Sequence, residues 1–212
     1  MRIADQIYNF ATEDELSLWT KALYSANAIT IKNNNCHGVS EEHMLYNWFV
    51  TNVFEKVKIA LNDDKLKVTF GMYLNETKPW GIHTDAYHVQ EYPNRRTALS
   101  FLMPLAVDND QSLVTKSRTI VFNESGNTND KIEIHQFTDK TNMPTSAVSI
   151  YNKHLSHNKL NTVKKFTVQG EYQWKRGSLI WWDSTYFHDT DNFIANGYTS
   201  KQAIVIHTYY DC

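Results

Sequence analysis

From Lys65 onward the hydrophobic pattern of the chain changes its period, and this change constrains the fold more than any other feature. Residues 67–75 alternate along a segment rich in Val, Thr, Phe and Tyr, which is typical of a β-strand. Further strands are predicted at 97–103, 118–123, 131–135, 163–169, 178–182 and 201–210. Polar loops connect these segments without an alternation of strand and helix. The pattern therefore favours an antiparallel architecture over a nucleotide-binding α/β fold.

Two helices are predicted before the strands. The first runs from about Glu13 to Ser25, because Thr12 and Glu15 form a capping box and an apolar stripe follows at Leu16, Trp19 and Leu23. Residues 33–38 are predicted to form a loop. The second helix is expected to begin after Ser40, with Glu41 and Glu42 in its first turn, and to end at about Leu61. We expect it to pack on a sheet through Leu45, Trp48, Phe49, Val53 and Val57.

The composition indicates a folded globular protein, since 42% of the 212 residues are hydrophobic and 21% are charged. The net charge of -2 provides no long-range attraction to nucleic acid or to an anionic membrane, so neither is an expected partner. No secretory signal is recognised in residues 1–10, and no apolar run is long enough to cross a bilayer. We therefore expect a cytoplasmic location and two free thiols, Cys36 and Cys212.

A histidine and an aspartate two residues apart, His83 and Asp85, form the first candidate site. Side chains at positions i and i+2 of an extended chain leave the same face, so both can bind one ion from one side. A third ligand is offered by His188, at the end of the apolar segment that follows Gly177. Two imidazoles and one carboxylate leave coordination positions open, which suits non-haem Fe(II) and oxygen chemistry better than structural zinc.

The arrangement of these motifs resembles the Fe(II)- and 2-oxoglutarate-dependent dioxygenases, especially their prolyl-hydroxylase-like branch. In that branch a tyrosine-bearing strand precedes His-x-Asp, a strand rich in Thr and Leu follows, and a Gly-(apolar)-Asp-loop-His segment comes much later. The matching pieces here are Tyr73-Leu74-Asn75, His83-Thr84-Asp85, residues 97–105 and residues 177–188. The resemblance covers about residues 67–105 and 172–210.

The resemblance implies a mainly β fold with N-terminal helices: a double-stranded β-helix, or cupin-like jelly roll, braced by two helices. We expect one domain over 1–212, with a helical brace at 1–64 and a jelly-roll core at 65–212. Residues 106–162 are predicted to form an insert of loops and short hairpins within that core. Such inserts often carry substrate contacts.

The resemblance also implies Fe(II), 2-oxoglutarate and O2, with His83, Asp85 and His188 as the metal ligands and catalytic residues. Lys201, on the final strand and on the same side as Ala203, Val205 and His207, is the candidate for the distal carboxylate of 2-oxoglutarate. Because Ala203 replaces the hydroxyl residue common in the family, the partner hydroxyl is expected from Tyr73. The alternative cations are Arg95, Arg96 and Arg176.

Other residues near these motifs receive weaker roles. Asp183 is expected to stabilise a turn or to make a hydrogen bond behind the ligands, and Asp189 ranks below Asp85 as a carboxylate ligand. Trp181 and Trp182 must face opposite sides of a strand, so at least one should be buried. Trp80 and Tyr87 flank the ligands and could line a substrate pocket.

The function expected from the resemblance is hydroxylation of an unactivated C–H bond with release of succinate and CO2. The substrate would be a peptidyl or amino-acid side chain, or a small metabolite. Since Asp85 fills the position that a halide takes in iron-dependent halogenases, halogenation is disfavoured. Two alternatives remain open: a non-catalytic jelly-roll protein that holds a metal, and a cupin-type metalloenzyme that uses no 2-oxoglutarate.

Overall fold

Two antiparallel sheets face each other and enclose the centre of the protein. The computed structural model describes residues 3–26, 28–31, 34–86, 93–108, 116–126 and 145–212. Within them the strands are β1 (Ala4–Ile7), β2 (Ala28–Ile31), β3 (Asn34–Ser40), β4 (Lys67–Glu76), β5 (Arg95–Val107), β6 (Arg118–Ser125), β7 (Val168–Gln173), β8 (Leu179–Asp183), β9 (Tyr186–Thr190) and β10 (Lys201–Asp211). The major sheet has the order β1-β8-β5-β10-β4-β3-β2 and the minor sheet β7-β6-β9. This two-sheet architecture confirms the predicted jelly roll.

Helices cover the outer face of each sheet. On the major sheet lie α1 (Glu13–Tyr24), α2 (Tyr46–Phe49) and α3 (Glu55–Leu61), and a π-helical turn over Val50–Phe54 joins the last two. On the minor sheet lie α4 (Thr145–Ile150), a π-helical turn (Tyr151–Leu155) and α5 (Leu160–Val163). One apolar cluster lies between each sheet and its helices, and a third fills the space between the two sheets. None of the helices in the described part of the chain is long and apolar enough to span a membrane.

The first helix forms where the sequence predicts it. Thr12 accepts a hydrogen bond from the backbone N–H of Glu15, and the Glu15 carboxylate accepts one from the N–H of Thr12 at 2.8 Å. Leu16, Trp19 and Leu23 are buried against the major sheet. The capping box and the apolar stripe therefore act together to fix this helix.

The second helix begins later than predicted. Glu41 and Glu42 lie in a turn before it, and the first helical residue is Tyr46. The predicted loop at 33–38 is also wrong, since β3 pairs with β4 from Asn35 to Ser40. Strand pairing on an existing sheet outweighs the weak local preference of an Asn-rich segment. The predicted stripe does pack on the major sheet, with Phe49, Val53 and Val57 fully buried and Leu45 and Trp48 partly buried.

Gly71 of β4 lets the second helix approach the sheet closely. A Cβ atom at this position would lie 2.1 Å from the Phe49 ring. The Phe49 side chain has no exposed surface, so it has no room to move aside.

The predicted internal boundaries need correction. Residues 1–64 are not only a helical brace, because they contribute β1, β2 and β3 to the major sheet. The segment 106–162 is not only an insert, since its strand β6 is the central strand of the minor sheet. The strand predicted at 163–169 is largely helix end and turn, with β7 beginning at Val168. The strand predicted at 131–135 lies outside the described residues.

Candidate metal centre

Two histidines 105 positions apart meet in an isolated antiparallel bridge. The N–H of His83 donates to the carbonyl of His188 at 3.1 Å, and the N–H of His188 donates to the carbonyl of His83 at 2.9 Å. The ring centroids are 4.3 Å apart. A further bond from the Asp85 N–H to the Ser184 carbonyl holds the two segments together, so backbone pairing brings both imidazoles to one place.

Asp85 completes a cluster of three possible metal ligands with these histidines. One ligand atom from each of His83, Asp85 and His188 lies within 4.8 Å of the others. The Asp85 carboxylate is 3.7 Å from His83 Nε2 and 3.4 Å from His188 Nε2. These are the three residues that the sequence selects, and they form the only such group among the described residues.

The hydrogen bonds of both imidazoles favour the tautomer that a metal site requires. His83 Nδ1 lies 2.7 Å from the Gly81 carbonyl, and His188 Nδ1 lies 3.3 Å from the Tyr186 carbonyl. A carbonyl can only accept, so each Nδ1 carries a proton, and in the neutral ring Nε2 then keeps its lone pair. Both lone pairs belong to the atoms that face Asp85.

Burial and charge set the protonation states of the cluster. Burial raises the pKa of Asp85, but His188, His207, His83 and a hydrogen bond from Ser100 outweigh it and hold that pKa below its ordinary value. Burial lowers the pKa of His188 to about 4, against the opposing effect of Asp85. At neutral pH the site therefore presents an ionised carboxylate and an uncharged His188, which are the forms that bind metal.

A cavity of about 90 Å³ begins at this cluster and continues between the sheets. Its walls are mainly apolar and include Met72, Leu74, Leu102, Val205 and Trp182. His207, which the sequence placed on the Lys201 side of β10, also lines it and lies 3.8 Å from Asp85. The other polar residues with hydroxyl or carboxyl groups that line it are Glu76, Thr119, Asp189 and Thr190. We call the part of the cavity around Glu76, Thr119 and Thr190 the inner end.

Lys201 lies behind the inner end, on the inward face of β10 as predicted. Its side chain has no exposed surface, and its Nζ is 3.0 Å from Asp191 and 2.5 Å from Thr190 Oγ1. The Trp174 ring centroid is 3.6 Å from the same Nζ. Lys201 therefore supplies positive charge to the inner end through Thr190, while Asp191 balances that charge.

Two threonine hydroxyls, which the sequence analysis did not identify, line the inner end. Thr190 Oγ1 accepts a hydrogen bond from Lys201, and Thr119 Oγ1 accepts one from Trp174 Nε1 at 2.9 Å. Since each oxygen already accepts, its own proton can be directed to a ligand. The two residues are neighbours on paired strands, because Thr119 of β6 pairs with Thr190 of β9. Sequence reasoning could not find them, since two strands distant in the chain place them together.

Glu76 is the third polar residue at the inner end and was also missed. It faces Lys201 in the β4–β10 register and lines the cavity with only 8% of its surface exposed. Burial raises its pKa to about 7, although the charge of Lys201 opposes the rise. The alternation of β4, with Met72 and Leu74 inward, is the signal that could have placed Glu76 on the cavity wall.

The structure does not bring Tyr73 to the cavity, which corrects its predicted contact with 2-oxoglutarate. Strand alternation turns its side chain toward the helical layer, where its ring centroid is 5.6 Å from that of Tyr24 and 6.1 Å from that of His37. The alternative cations also lie elsewhere: Arg95 pairs with Glu41, Arg96 stacks over Tyr210, and Arg176 pairs with Glu13.

The remaining polar expectations agree with the structure. Asp183 accepts hydrogen bonds from the Thr185 N–H and hydroxyl, so it stabilises the turn into β9. Asp189 is held by Asn158 at 2.6 Å and by His157 at 3.2 Å, and it is not part of the metal cluster. Cys36 and Cys212 are both free thiols.

The aromatic residues divide as the alternation of β8 requires. Trp182 is buried between the sheets, with its ring centroid 4.5 Å from that of His188, whereas Trp181 packs on the other face of the major sheet. Trp80 lines the cavity beside His83, with ring centroids 5.7 Å apart. Tyr87 lies outside the described residues.

Solved structures that match this fold include 2-oxoglutarate oxygenases. The viral collagen prolyl hydroxylase of Paramecium Bursaria Chlorella virus-1, solved with 2-oxoglutarate, is 11% identical, with a TM-score of 0.52 over 100% of this chain and 96% of that chain. A prolyl-4-hydroxylase of Pseudomonas putida is 8% identical, with a TM-score of 0.53 over 100% and 94%. The alpha-ketoglutarate-dependent epimerase SnoN from nogalamycin biosynthesis is 10% identical, with a TM-score of 0.57 over 99% and 78%.

No protein-family model and no curated protein sequence matches the chain. At identities near 10% the structural similarity establishes a shared fold. The chain has the jelly-roll fold of the Fe(II)/2-oxoglutarate oxygenases.

Proposed function

We propose that this protein is an Fe(II)- and 2-oxoglutarate-dependent oxygenase that hydroxylates an unactivated C–H bond, with release of succinate and CO2. The observation that carries the proposal is the cluster of His83, Asp85 and His188 at one end of a cavity between the sheets. The substrate is a peptidyl or amino-acid side chain, or a small metabolite. Structures of the same fold include both prolyl hydroxylases and an enzyme of nogalamycin biosynthesis.

The donor set of the cluster fits Fe(II). Two imidazole nitrogens and one carboxylate form a three-ligand face, which leaves positions for a cosubstrate and for oxygen. When bound, Fe(II) with 2-oxoglutarate and O2 supplies the oxidising power for hydroxylation. The chain holds the ligands through the His83–His188 bridge and the carbonyls of Gly81 and Tyr186, so their orientation is fixed before metal binds.

The inner end fits the distal carboxylate of a 2-oxo acid. The hydroxyls of Thr119 and Thr190 can donate to it, and Lys201 places positive charge behind Thr190. These two hydroxyls take the role that the sequence analysis assigned to Tyr73. The apolar walls between the two ends exclude water from the reacting groups.

The proposal is tested by 2-oxoglutarate turnover in the presence of Fe(II) and O2 without added substrate. We expect slow, Fe(II)-dependent formation of succinate by the wild type and none by His188→Ala. His43→Ala, which changes a histidine outside the cavity, serves as the matched control and should retain the wild-type rate. Equal succinate formation by His188→Ala and the wild type would contradict the proposal.

A cupin-type metalloenzyme without 2-oxoglutarate is the second candidate, and one observation favours it. Asp191 already compensates the charge of Lys201, so the inner end offers less net positive charge than a free lysine would. This candidate predicts that Fe(II) binds normally while 2-oxoglutarate has no measurable affinity for the metal-loaded protein. The non-catalytic alternative makes the same prediction and differs by showing no turnover with any substrate.

A further inference from the structure

The inner end of the cavity contains an acidic side chain where a carboxylate ligand would lie. Glu76 lines this end, and its Oε2 atom is buried without a hydrogen-bond partner among the described residues. A buried carboxyl oxygen that is directed at a cavity and lacks a partner costs free energy unless a ligand satisfies it. The Glu76 carboxyl group therefore lacks a hydrogen-bond partner for Oε2 until a ligand enters the cavity.

We propose that Glu76 is a proton-linked recognition residue, which in its neutral form donates a hydrogen bond to the distal carboxylate of a 2-oxo dicarboxylic acid. The inference rests on the proposed function and adds a specificity-determining residue to it. The ligand carboxylate would then be bound by three donors, the hydroxyls of Thr119 and Thr190 and the carboxylic acid of Glu76. Each is on a different strand, since Thr119 is on β6, Thr190 on β9 and Glu76 on β4.

The charges around Glu76 explain why a proton must accompany the ligand. The titratable groups that act on it come from the strands β3, β9 and β10 and from the segments that follow β9 and precede α5: Cys36, Asp189, Lys201, Asp191 and His157. Lys201 is the cation in contact with Asp191, and Asp189 is held by His157. The Lys201 charge that acts on Glu76 is already paired with Asp191, so it cannot also compensate both an ionised Glu76 and a ligand carboxylate. Ionised Glu76 would repel the ligand, whereas protonated Glu76 binds it.

The affinity for the ligand should fall at alkaline pH. Above the pKa of Glu76, which burial raises to about 7, binding of the ligand requires uptake of one proton from solvent. The affinity for 2-oxoglutarate should therefore fall about tenfold for each pH unit above this pKa and stay constant below it. Burial lowers the pKa of His188 and of His207, so neither should titrate in this range.

The test measures 2-oxoglutarate binding to the Fe(II)-loaded protein under anaerobic conditions from about pH 6 to about pH 8.5. We expect the tenfold slope in the wild type and a flat profile in Glu76→Gln, whose amide donates a hydrogen bond at every pH. Glu55→Gln, a change on the outer surface of α3, is the matched control and should keep the wild-type slope. The probe 2-oxopentanoate, which has no distal carboxylate, should bind weakly and without a slope.

Calorimetry of the wild type alone provides a second readout that does not depend on any variant folding. Titrations at one alkaline pH in two buffers of different ionisation enthalpy should show uptake of nearly one proton per 2-oxoglutarate bound. A wild-type profile that is flat, or a slope that persists in Glu76→Gln, would overturn the inference and leave the proposed function standing. Absence of binding at every pH in protein that holds Fe(II) would overturn both.

Discussion

Each end of the cavity buries a carboxylate, but the charge is compensated differently at the outer end, which is the metal cluster, and at the inner end. At the outer end Asp85 is surrounded by the imidazoles of His83, His188 and His207, with no lysine or arginine ion pair to it among the described residues. At the inner end Asp191 has Lys201 at 3.0 Å, and both side chains are fully buried. The charge of Asp85 is fully compensated only when a metal cation binds, whereas the charge of Asp191 is already compensated by Lys201. The cluster around Asp85 is therefore a site for a metal, and the Lys201–Asp191 pair is part of the scaffold.

The largest effect should come from removing the charge of the outer end. Asp85→Ala should weaken Fe(II) binding by more than about a hundredfold. Even the loss of a residue that only hydrogen-bonds to a metal ligand lowers metal affinity by about 10–100-fold. Anaerobic calorimetric titration measures this change. Asp14→Ala, on the exposed face of α1, should bind as the wild type does. Retention of wild-type affinity in Asp85→Ala would place the metal elsewhere.

Breaking the inner pair should instead lower stability. Lys201→Met leaves Asp191 buried without its cation, so the free energy of unfolding should fall by about 3–5 kcal/mol. Chemical denaturation of the metal-free protein measures the loss. The double variant Lys201→Met/Asp191→Leu should recover much of it, because no uncompensated charge remains. A loss below about 1 kcal/mol in the single variant would show that this pair is not isolated from water.

Glu76 makes the two ends differ in their response to pH. The pKa of Glu76 is raised from its ordinary value of 4.5 to about 7, so between these values the folded protein holds a proton that the unfolded chain releases. The contribution of neutral Glu76 to stability is complete below pH 4.5 and is lost as pH rises to about 7. Glu76→Gln should therefore gain stability relative to the wild type as pH increases, by about 3 kcal/mol at most. Denaturation at several pH values checks this, and a difference independent of pH would contradict it.

The smallest effect should come from cations outside the cavity. Arg96 stacks over Tyr210 at 4.9 Å on the surface, so Arg96→Ala should cost less than about 1 kcal/mol. It should also leave the affinity for 2-oxoglutarate unchanged. A clear loss of that affinity would mean that the distal carboxylate does not bind at the inner end.

Sequence reasoning located the outer end better than the inner one for a physical reason. His83 and Asp85 are two residues apart on one segment, and His188 ends the apolar sequence segment that follows Gly177, so local spacing and the family resemblance were enough to select them. The inner end depends on Thr119, Thr190 and Glu76, which come from three strands. Only the register of those strands brings them together, and no local pattern encodes it.

The same contrast holds for the fold. Helix α1 was predicted correctly because its capping box and apolar stripe lie within twelve consecutive residues. Strand β3 was missed because its Asn-rich sequence favours a loop, and pairing with β4 decides its conformation. Tyr73 was misplaced by one step of strand alternation, which is enough to move a side chain from the cavity to the helical layer.

Anaerobic titration of the Fe(II)-loaded protein with 2-oxoglutarate tests the central claim most directly. Chelation of the metal by the 2-oxo acid produces a weak visible metal-to-ligand charge-transfer band. The account predicts that this band forms in the wild type, is lost in His83→Ala and in Asp85→Ala, and persists in Asp14→Ala. Iron binding by the wild type without the band would contradict the account and favour a metalloprotein that uses no 2-oxo acid.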